Sequence, residues 1–351
     1  MHIVHALFTK YKGGLEQAYI NDTKALIATG HRITAFVRAD APYIGELREC
    51  VSEVRTFMPR GFYDFRAIIK MFHELARLRP DAVIAHNGRA IQLMFFACVG
   101  LKIPVIGVSH SYKTRRIKKC DALIVLSEHM RQHFEKKGYP ADKMRVIPNL
   151  LHLPNEPHFQ QRRKPIVIGA IGRFTGEKGF DDLLLALRIV KLNGFEFKAV
   201  IAGDGPLADE LKAKAKHHEV DSHIEWAGWV KNKTAFYRSL DILCLPSLKD
   251  SFPMVLLEGL THKVPILATD VPGAISMLHD GEDGLIVPRG QPVAFARELI
   301  RMIENQELCS YMAEGGWQTV QQYGFSQVAN RWSEVLTELL PQPDHSKQDK
   351  A

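Results

Sequence analysis

Ser247-Leu248-Lys249-Asp250-Ser251-Phe252-Pro253-Met254-Val255-Leu256-Leu257-Glu258-Gly259 lies between two apolar runs, Leu240 to Pro246 and Val264 to Ala268. Each run is short and sharply bounded, as buried strands are, so the stretch reads as strand, turn, helix, strand. The spacing predicts a helix from about Phe252 to His262, capped by Ser251, with Pro253 in the first turn where a missing N–H matters least. Asp250 stands just before this helix and Glu258 two turns inside it, roughly 12 Å apart along the axis. Hydrolytic carboxyl pairs lie about 5–9.5 Å apart, so this pair is too wide for one bond. It suits the two ends of an elongated ligand whose phosphates rest on the N–H groups of Met254 and Val255 at the positive helix end. The plain alternative is a solvated Asp and a Glu on a polar helix face.

The flanking sequence repeats the strand-helix alternation. Ile166 to Ile171 reads as a strand running into Gly172-Arg173-Phe174-Thr175-Gly176-Glu177-Lys178-Gly179 and a helix over Asp181 to Leu192. That loop pairs glycines, which let a backbone approach a ligand closely, with an Arg that can chelate phosphate oxygens and a Lys that supplies a point charge. It lacks the Gly-x-x-x-x-Gly-Lys-Ser/Thr order of a Walker loop. Lys198 to Ala202 leads into Gly203-Asp204-Gly205-Pro206, and His223 to Trp226 into Gly228-Trp229-Val230. In a parallel sheet all these loops emerge on one edge, where α/β folds bind ligands.

The first part of the chain alternates in the same way. Met1 to Phe8 is a strand, Gly14 to Gly30 a helix and Ile33 to Val37 a strand, with Gly13-Gly14-Leu15-Glu16 at the first turn. Ala82 to Ala85 ends in His86-Asn87-Gly88, and Pro104 to Val108 in Ser109-His110-Ser111. The fold class is therefore α/β, with two Rossmann-like, doubly wound parallel sheets. Residues 1–155 form one domain, 156–325 a second, 326–341 a last helix, and 342–351 a polar tail expected to be disordered. The polar, proline-bounded stretch from Leu153 to Lys164 reads as the linker.

A chain of 351 residues with 46% apolar content can fill two cores. The start of the sequence reads as a strand and not as a signal peptide, and Ile91 to Leu101 is too short to span a bilayer. Five scattered cysteines show no metal or redox spacing, and no Asp-x-Asp occurs, so the expectation is a reduced, cytoplasmic protein with no metal or other cofactor. The charge is uneven: residues 1–155 hold 24 Lys+Arg against 13 Asp+Glu, and the remainder 22 against 26. The basic half would draw an acidic partner or an anionic membrane surface, or would simply aid solubility. Lys113-Thr114-Arg115-Arg116-Ile117-Lys118-Lys119 is the densest basic run, either a solvated loop or a clamp for phosphate or carboxylate on an acceptor. Phe62 to Leu78 predicts an amphipathic helix whose Phe65, Ile68, Ile69, Phe72, Leu75 and Ala76 pack on the sheet. Basic residues without interleaved aromatics speak against nucleic acid.

Taken together, Asp250 to Glu258, Gly172 to Gly179, Gly203 to Pro206, Gly13 to Glu16 and Asp280-Gly281-x2-Gly284-Leu285 resemble, in order, the motifs of retaining glycosyltransferase family 4 of the GT-B fold. The resemblance covers nearly the whole chain and is densest from Ile166 to Val287. It implies transfer of a hexose-type sugar from a nucleotide-diphosphate donor, a UDP- or GDP-sugar, to a lipid-linked or polysaccharide acceptor such as a lipopolysaccharide core. By the same resemblance Arg173 and Lys178 neutralise the diphosphate, Glu258 accepts from the ribose, Trp229 and Val230 meet the base, and Asp250 holds the sugar. His110 is similar to a histidine that approaches the donor sugar; a core or cap histidine is the alternative. Gly14, Gly172, Gly203, Phe252, Met254 and Val255 complete the donor set. Gly13, Glu16, Asn87, Lys113, Arg115 and Arg116 form the acceptor set.

The basic first half fits peripheral contact with the cytoplasmic face of the inner membrane, and the resemblance implies a last helix that crosses back onto the first domain. Three departures stand out: Asp250 replaces a Glu, Pro253 replaces a glycine and removes one N–H donor, and Asn149-Leu150 replaces Asn-Gly. Other readings are an epimerase or phosphorylase on the same fold, or a protein that binds a nucleotide sugar without transferring it.

Overall fold

The computed structural model describes residues 1–11, 13–113, 115–154 and 163–340. The linker residues 155–162 and the tail 341–351 lie outside the described residues, as do Lys12 and Thr114 of the two loops.

Two compact units account for the chain, Met1–Leu150 with Tyr323–Ala351, and Leu151–Gln322. The sequence reading sets these divisions a few residues later, at 155/156 and 325/326. The difference arises because Leu151 already belongs with the second unit and Tyr323 with the first.

In the first unit seven strands, β1 (His2–Leu7), β2 (Arg32–Arg38), β3 (Glu53–Phe57), β4 (Ala82–His86), β5 (Val105–Ser109), β6 (Ala122–Val125) and β7 (Met144–Val146), pair in the order β3-β2-β1-β4-β5-β6-β7. In the second, β8 (Ile166–Ile171), β9 (Phe197–Ala202), β10 (Ile224–Gly228), β11 (Ile242–Leu245), β12 (Ile266–Thr269) and β13 (Leu285–Val287) pair in the order β10-β9-β8-β11-β12-β13. Every pairing is parallel. Nearly continuous runs such as Ile-Val-Ile-Gly-Ala-Ile in β8 follow from helices covering both faces of each sheet. In both sheets the strand order reverses once, between β1 and β4 and between β8 and β11, so a crevice opens beyond the carboxyl ends of those strands.

The helix Phe325–Leu339 packs within the first unit. Trp332 is fully buried among Ile3, Ala25, Leu26 and Ile84, and its indole N–H donates to Asp22 Oδ1 at 3.2 Å. Arg145 pairs with Glu338, and Arg331 Nε donates to the Val146 carbonyl at 2.6 Å.

Two local expectations need correction. The helix expected from Phe252 begins at Met254, with Pro253 at the cap position and no side-chain cap. Ser251 therefore does not cap it; Asp250 Oδ1 instead accepts from the Phe252 N–H at 3.3 Å, which turns the chain one residue earlier. The helix expected over Phe62 to Leu78 runs from Phe65, capped by Asp64, and buries Ala67, Ile68, Met71 and Leu75. Phe65 and Ile69, counted among its core face, are 74% and 56% exposed, because they share a stripe one turn apart that is rotated away from the sheet.

Candidate active site

The second unit brings the β8, β9 and β11 loops together through backbone contacts. The Glu177 carbonyl accepts from the N–H groups of Leu248 and Lys249 at 2.9 and 3.1 Å, and Asp204 accepts from Phe174 N–H at 2.9 Å. Glycines permit this approach. A Cβ on Gly203 (φ +132°) would stand 1.8 Å from the Gly172 carbonyl oxygen, and one on Gly179 (φ +66°) 1.9 Å from that of Pro246.

The result places Lys178 Nζ 2.5 Å from Asp250 Oδ2. Arg173 is exposed on the same loop and has no ion-pair partner among the described residues. Met254 and Val255 begin the helix that follows Asp250, so the positive helix end faces the same edge. Phe252 is buried beneath the turn. Glu258 is held by two residues the sequence reading passes over: Tyr237 OH donates to its Oε2 at 2.6 Å and Lys233 pairs with its Oε1. Both come from the helix Lys233–Arg238, whose proximity is set by packing and not by any spacing along the chain. Trp229 follows β10 with 72% of its surface exposed, and Val230 is half-buried beside it.

In the first unit a cavity of about 830 Å³ opens at the β1/β4 crevice. Asn87, Lys113, Arg115 and Arg116 line it, but Gly13, Gly14 and Glu16 do not. Glu16 is buried in the first turn of the helix Gly14–Ala28, with its carboxylate under Gly13. The wall also carries Lys10, Arg38, Arg60 and Arg89, together with Phe62.

His110 ends a chain of three histidines. Its Nε2 lies 2.9 Å from His86 Nδ1, and His86 Nε2 lies 2.6 Å from His5 Nε2. Burial holds all three neutral, pushing His5 down to about 3 and His110 to about 4. Only the fold reveals this cluster, since His5, His86 and His110 end or occupy three neighbouring strands.

His129 and His133 stand four residues apart on the helix Glu128–Lys136, a His-x-x-x-His spacing that the sequence reading takes to be absent. Both rings pack on Tyr112, whose hydroxyl meets His129 Nδ1 at 2.9 Å. Among the described residues no group of three His, Cys, Asp or Glu is gathered as metal ligands. No helix among them is long and apolar enough to cross a membrane.

Residues 155–319 match the family model described as "Glycosyl transferases group 1", and residues 12–153 the one described as "Glycosyltransferase Family 4". The chain is 25% identical over 347 residues to the lipopolysaccharide core biosynthesis glycosyltransferase LpsE of Rhizobium meliloti, covering 96% of this chain and 99% of that one. It is 26% identical over 360 residues to an α-1,4-N-acetyl-D-galactosaminyltransferase of Campylobacter jejuni, covering 97% and 99%. Among solved structures, Anabaena Alr3699/HepE in complex with UDP aligns at a TM-score of 0.86 with 17% identity, over 96% of this chain and all of that one. The lipopolysaccharide outer core galactosyltransferase WaaB aligns at 0.80 with 19% identity, over 96% and 99%. With both halves matched in order, and a parallel doubly wound sheet in each, the chain belongs to the family 4 glycosyltransferases of the GT-B fold.

Proposed function

We propose that this glycosyltransferase moves a hexose-type sugar from a UDP-sugar to a glycolipid or polysaccharide acceptor of the bacterial envelope, with retention of configuration and no metal. The observation that carries the reading is the meeting of Lys178, Asp250 and the helix start at Met254 on one sheet edge, with Arg173 on the adjoining loop. Two cations and a helix N-terminus stabilise charge as it develops on a departing diphosphate, which is the work a divalent ion does elsewhere. The UDP and UDP-glucose complexes of the Anabaena protein support uridine, and the names of the Rhizobium and Campylobacter relatives support an envelope glycan.

In the reaction the bond from the anomeric carbon to the diphosphate oxygen breaks as the acceptor oxygen bonds to that carbon on the same face. The acceptor's proton leaves with the diphosphate. Asp250 orients the sugar through its hydroxyls, Glu258 holds the ribose, and Trp229 and Val230 border the base. Asn87, Lys113, Arg115 and Arg116 receive the acceptor. The exposed Phe65 and Ile69, beside Arg66 and Lys70, support peripheral contact with an anionic cytoplasmic membrane face.

The test is a panel of nucleotide sugars incubated with enzyme and envelope glycan acceptors, with and without EDTA. Transfer from a UDP-sugar that persists in EDTA and is lost in Arg173→Ala and Lys178→Ala is the expected outcome. Full transfer by those variants overturns the site, and loss in EDTA overturns the metal-free reading.

A further inference from the structure

Seven cationic side chains line the cavity of the first unit, and no Asp or Glu is among its lining residues. Arg38 alone of the seven is neutralised, by Asp40 at 2.7 Å. Lys10, Arg60, Arg89, Lys113, Arg115 and Arg116 form no side-chain ion pair among the described residues, although the Asp40 carboxyl feels the Lys10 charge and that of Asp64 the Arg60 charge. Two of these are held in place. The Arg116 guanidinium lies 3.5 Å above the Phe62 ring centroid, and that of Arg89 lies 5.5 Å from the same centroid. Arg89 Nη1 also donates to the Phe8 carbonyl at 3.3 Å. At Gly88 a Cβ would stand 3.4 Å from Arg116 Cβ and 3.5 Å from its Cδ, so the absent side chain leaves the arginine its path along the wall.

Like charges that outnumber the carboxylates near them repel, and a planar guanidinium fixed on a ring is organised for oxyanions before any ligand arrives. We propose that this cavity binds a polyanion, an acceptor segment carrying at least two phosphate or diphosphate charges, gripped between the Phe62-stacked arginines and the side chains of Lys113 and Arg115. This deepens the acceptor reading above and rests on it.

The probe is inorganic pyrophosphate, titrated calorimetrically into the full chain with saturating UDP to fill the nucleotide site. The expected result is binding that weakens steeply with salt and falls at least tenfold in Arg60→Gln/Arg116→Gln, with UDP affinity unchanged as the folding control. Pyrophosphate binding that is absent, or equal in the variant, overturns the proposal. Competition by glucose 1,6-bisphosphate or by polyprenyl diphosphate in phosphatidylcholine vesicles assigns the anion to a soluble sugar or a lipid carrier. If transfer to a diphosphate-bearing acceptor is undiminished in the variant, the polyanion falls while the transferase stands. If no transfer is found yet pyrophosphate still binds, the transferase reading falls alone.

A separate observation concerns the direction of the histidine chain. The Thr23 hydroxyl donates to the Tyr19 carbonyl at 2.8 Å, so toward His5 Nδ1, 2.8 Å away, it can only accept. His5 therefore carries its proton on Nδ1 and leaves Nε2 bare. His86 must then donate from Nε2, leaving its Nδ1 bare, and His110 must donate from Nε2 to that atom. One hydroxyl thus sets three tautomers.

We infer that Thr23, His5 and His86 are positioning residues that lock His110 with a bare Nδ1, an acceptor for a substrate hydroxyl. Nitrogen-15 NMR of the free full-length enzyme reads the tautomers directly. The expected result is Nε2–H at His110 in the native chain, a mixed population in Thr23→Val, and recovery in Thr23→Ser. In the same series kcat should fall about tenfold in Thr23→Val with KM for the donor unchanged, and return in Thr23→Ser. An Nδ1–H tautomer at His110, or a Thr23→Val enzyme with native tautomers, overturns the inference whatever the reaction proves to be.

Discussion

Lys178 Nζ sits 2.5 Å from Asp250 Oδ2, so the cation assigned to the diphosphate is paired with the carboxylate assigned to the sugar. The two residues are far apart in sequence and meet because Glu177, beside Lys178, holds the backbone of Leu248 and Lys249. Lys178 is part-exposed and Asp250 nearly covered; on the proposed function, an arriving diphosphate takes over the ammonium from the carboxylate.

That exchange has opposite consequences for its two members. Lys178→Ala should weaken UDP binding by about 1.5–3 kcal/mol, the range for a hydrogen bond to a charged group, or roughly tenfold to a hundredfold. Asp250→Asn frees the ammonium and should tighten UDP binding a few-fold while transfer falls at least tenfold. Calorimetry with UDP and a transfer assay separate the two, and weaker UDP binding in Asp250→Asn would contradict the exchange.

Glu258 should report on the nucleoside and not on the phosphates. Glu258→Gln is expected to lower UDP affinity about tenfold, since a neutral amide accepts less strongly from hydroxyls. Lys233→Ala should matter little, because the lysine is exposed and such pairs contribute about 0.2–1 kcal/mol. Equal losses in the two variants, measured by calorimetry, would mean that Lys233 itself contacts ligand.

The backbone approaches make sharp predictions for stability. Gly179→Ala and Gly203→Ala each place a methyl within 2 Å of a carbonyl oxygen at a positive φ, whereas Gly176→Ala meets nothing within 4 Å. Strain of this kind costs on the order of 1–3 kcal/mol or more. The first two variants should melt several degrees lower by calorimetry, and Gly176→Ala should melt like the native chain.

The first unit carries buried groups with opposite pH dependence. Burial pushes the Asp22 carboxyl up to about 7, against the lowering effect of the Trp332 N–H. Its folded form therefore holds a proton that the unfolded chain releases near 3.8; the stability this contributes is complete below that value and gone above about 7. His5 and His110 are pushed down, to about 3 and about 4, so they cost stability as pH falls from about 6.5 toward those values. Asp22→Asn should accordingly raise the melting temperature more at pH 8 than at pH 5. Its own melting temperature should climb with pH between about 4 and 6.5 and then level off. A gain independent of pH between 5 and 8 would show that burial does not hold the Asp22 carboxyl above its unfolded value.

Much of the architecture is written along the chain. Runs such as Ile166 to Ile171 and Ala82 to Ala85 are apolar at every position, which only strands covered on both faces tolerate, and their alternation with helices dictates parallel sheets. Local chemistry also marks Gly172 to Gly179 and Asp250 to Glu258, because glycines, cations and carboxylates at a strand end have few purely structural uses. What the sequence could not supply is which distant groups meet. The salt bridge of Lys178 with Asp250, the grip of Tyr237 on Glu258 and the stacking of Arg116 on Phe62 join residues from separate loops. The relay from Thr23 through His5 and His86 to His110 crosses three strands and a helix. Such contacts depend on strand order and on hydrogen-bond direction, and both exist only once the sheets have formed.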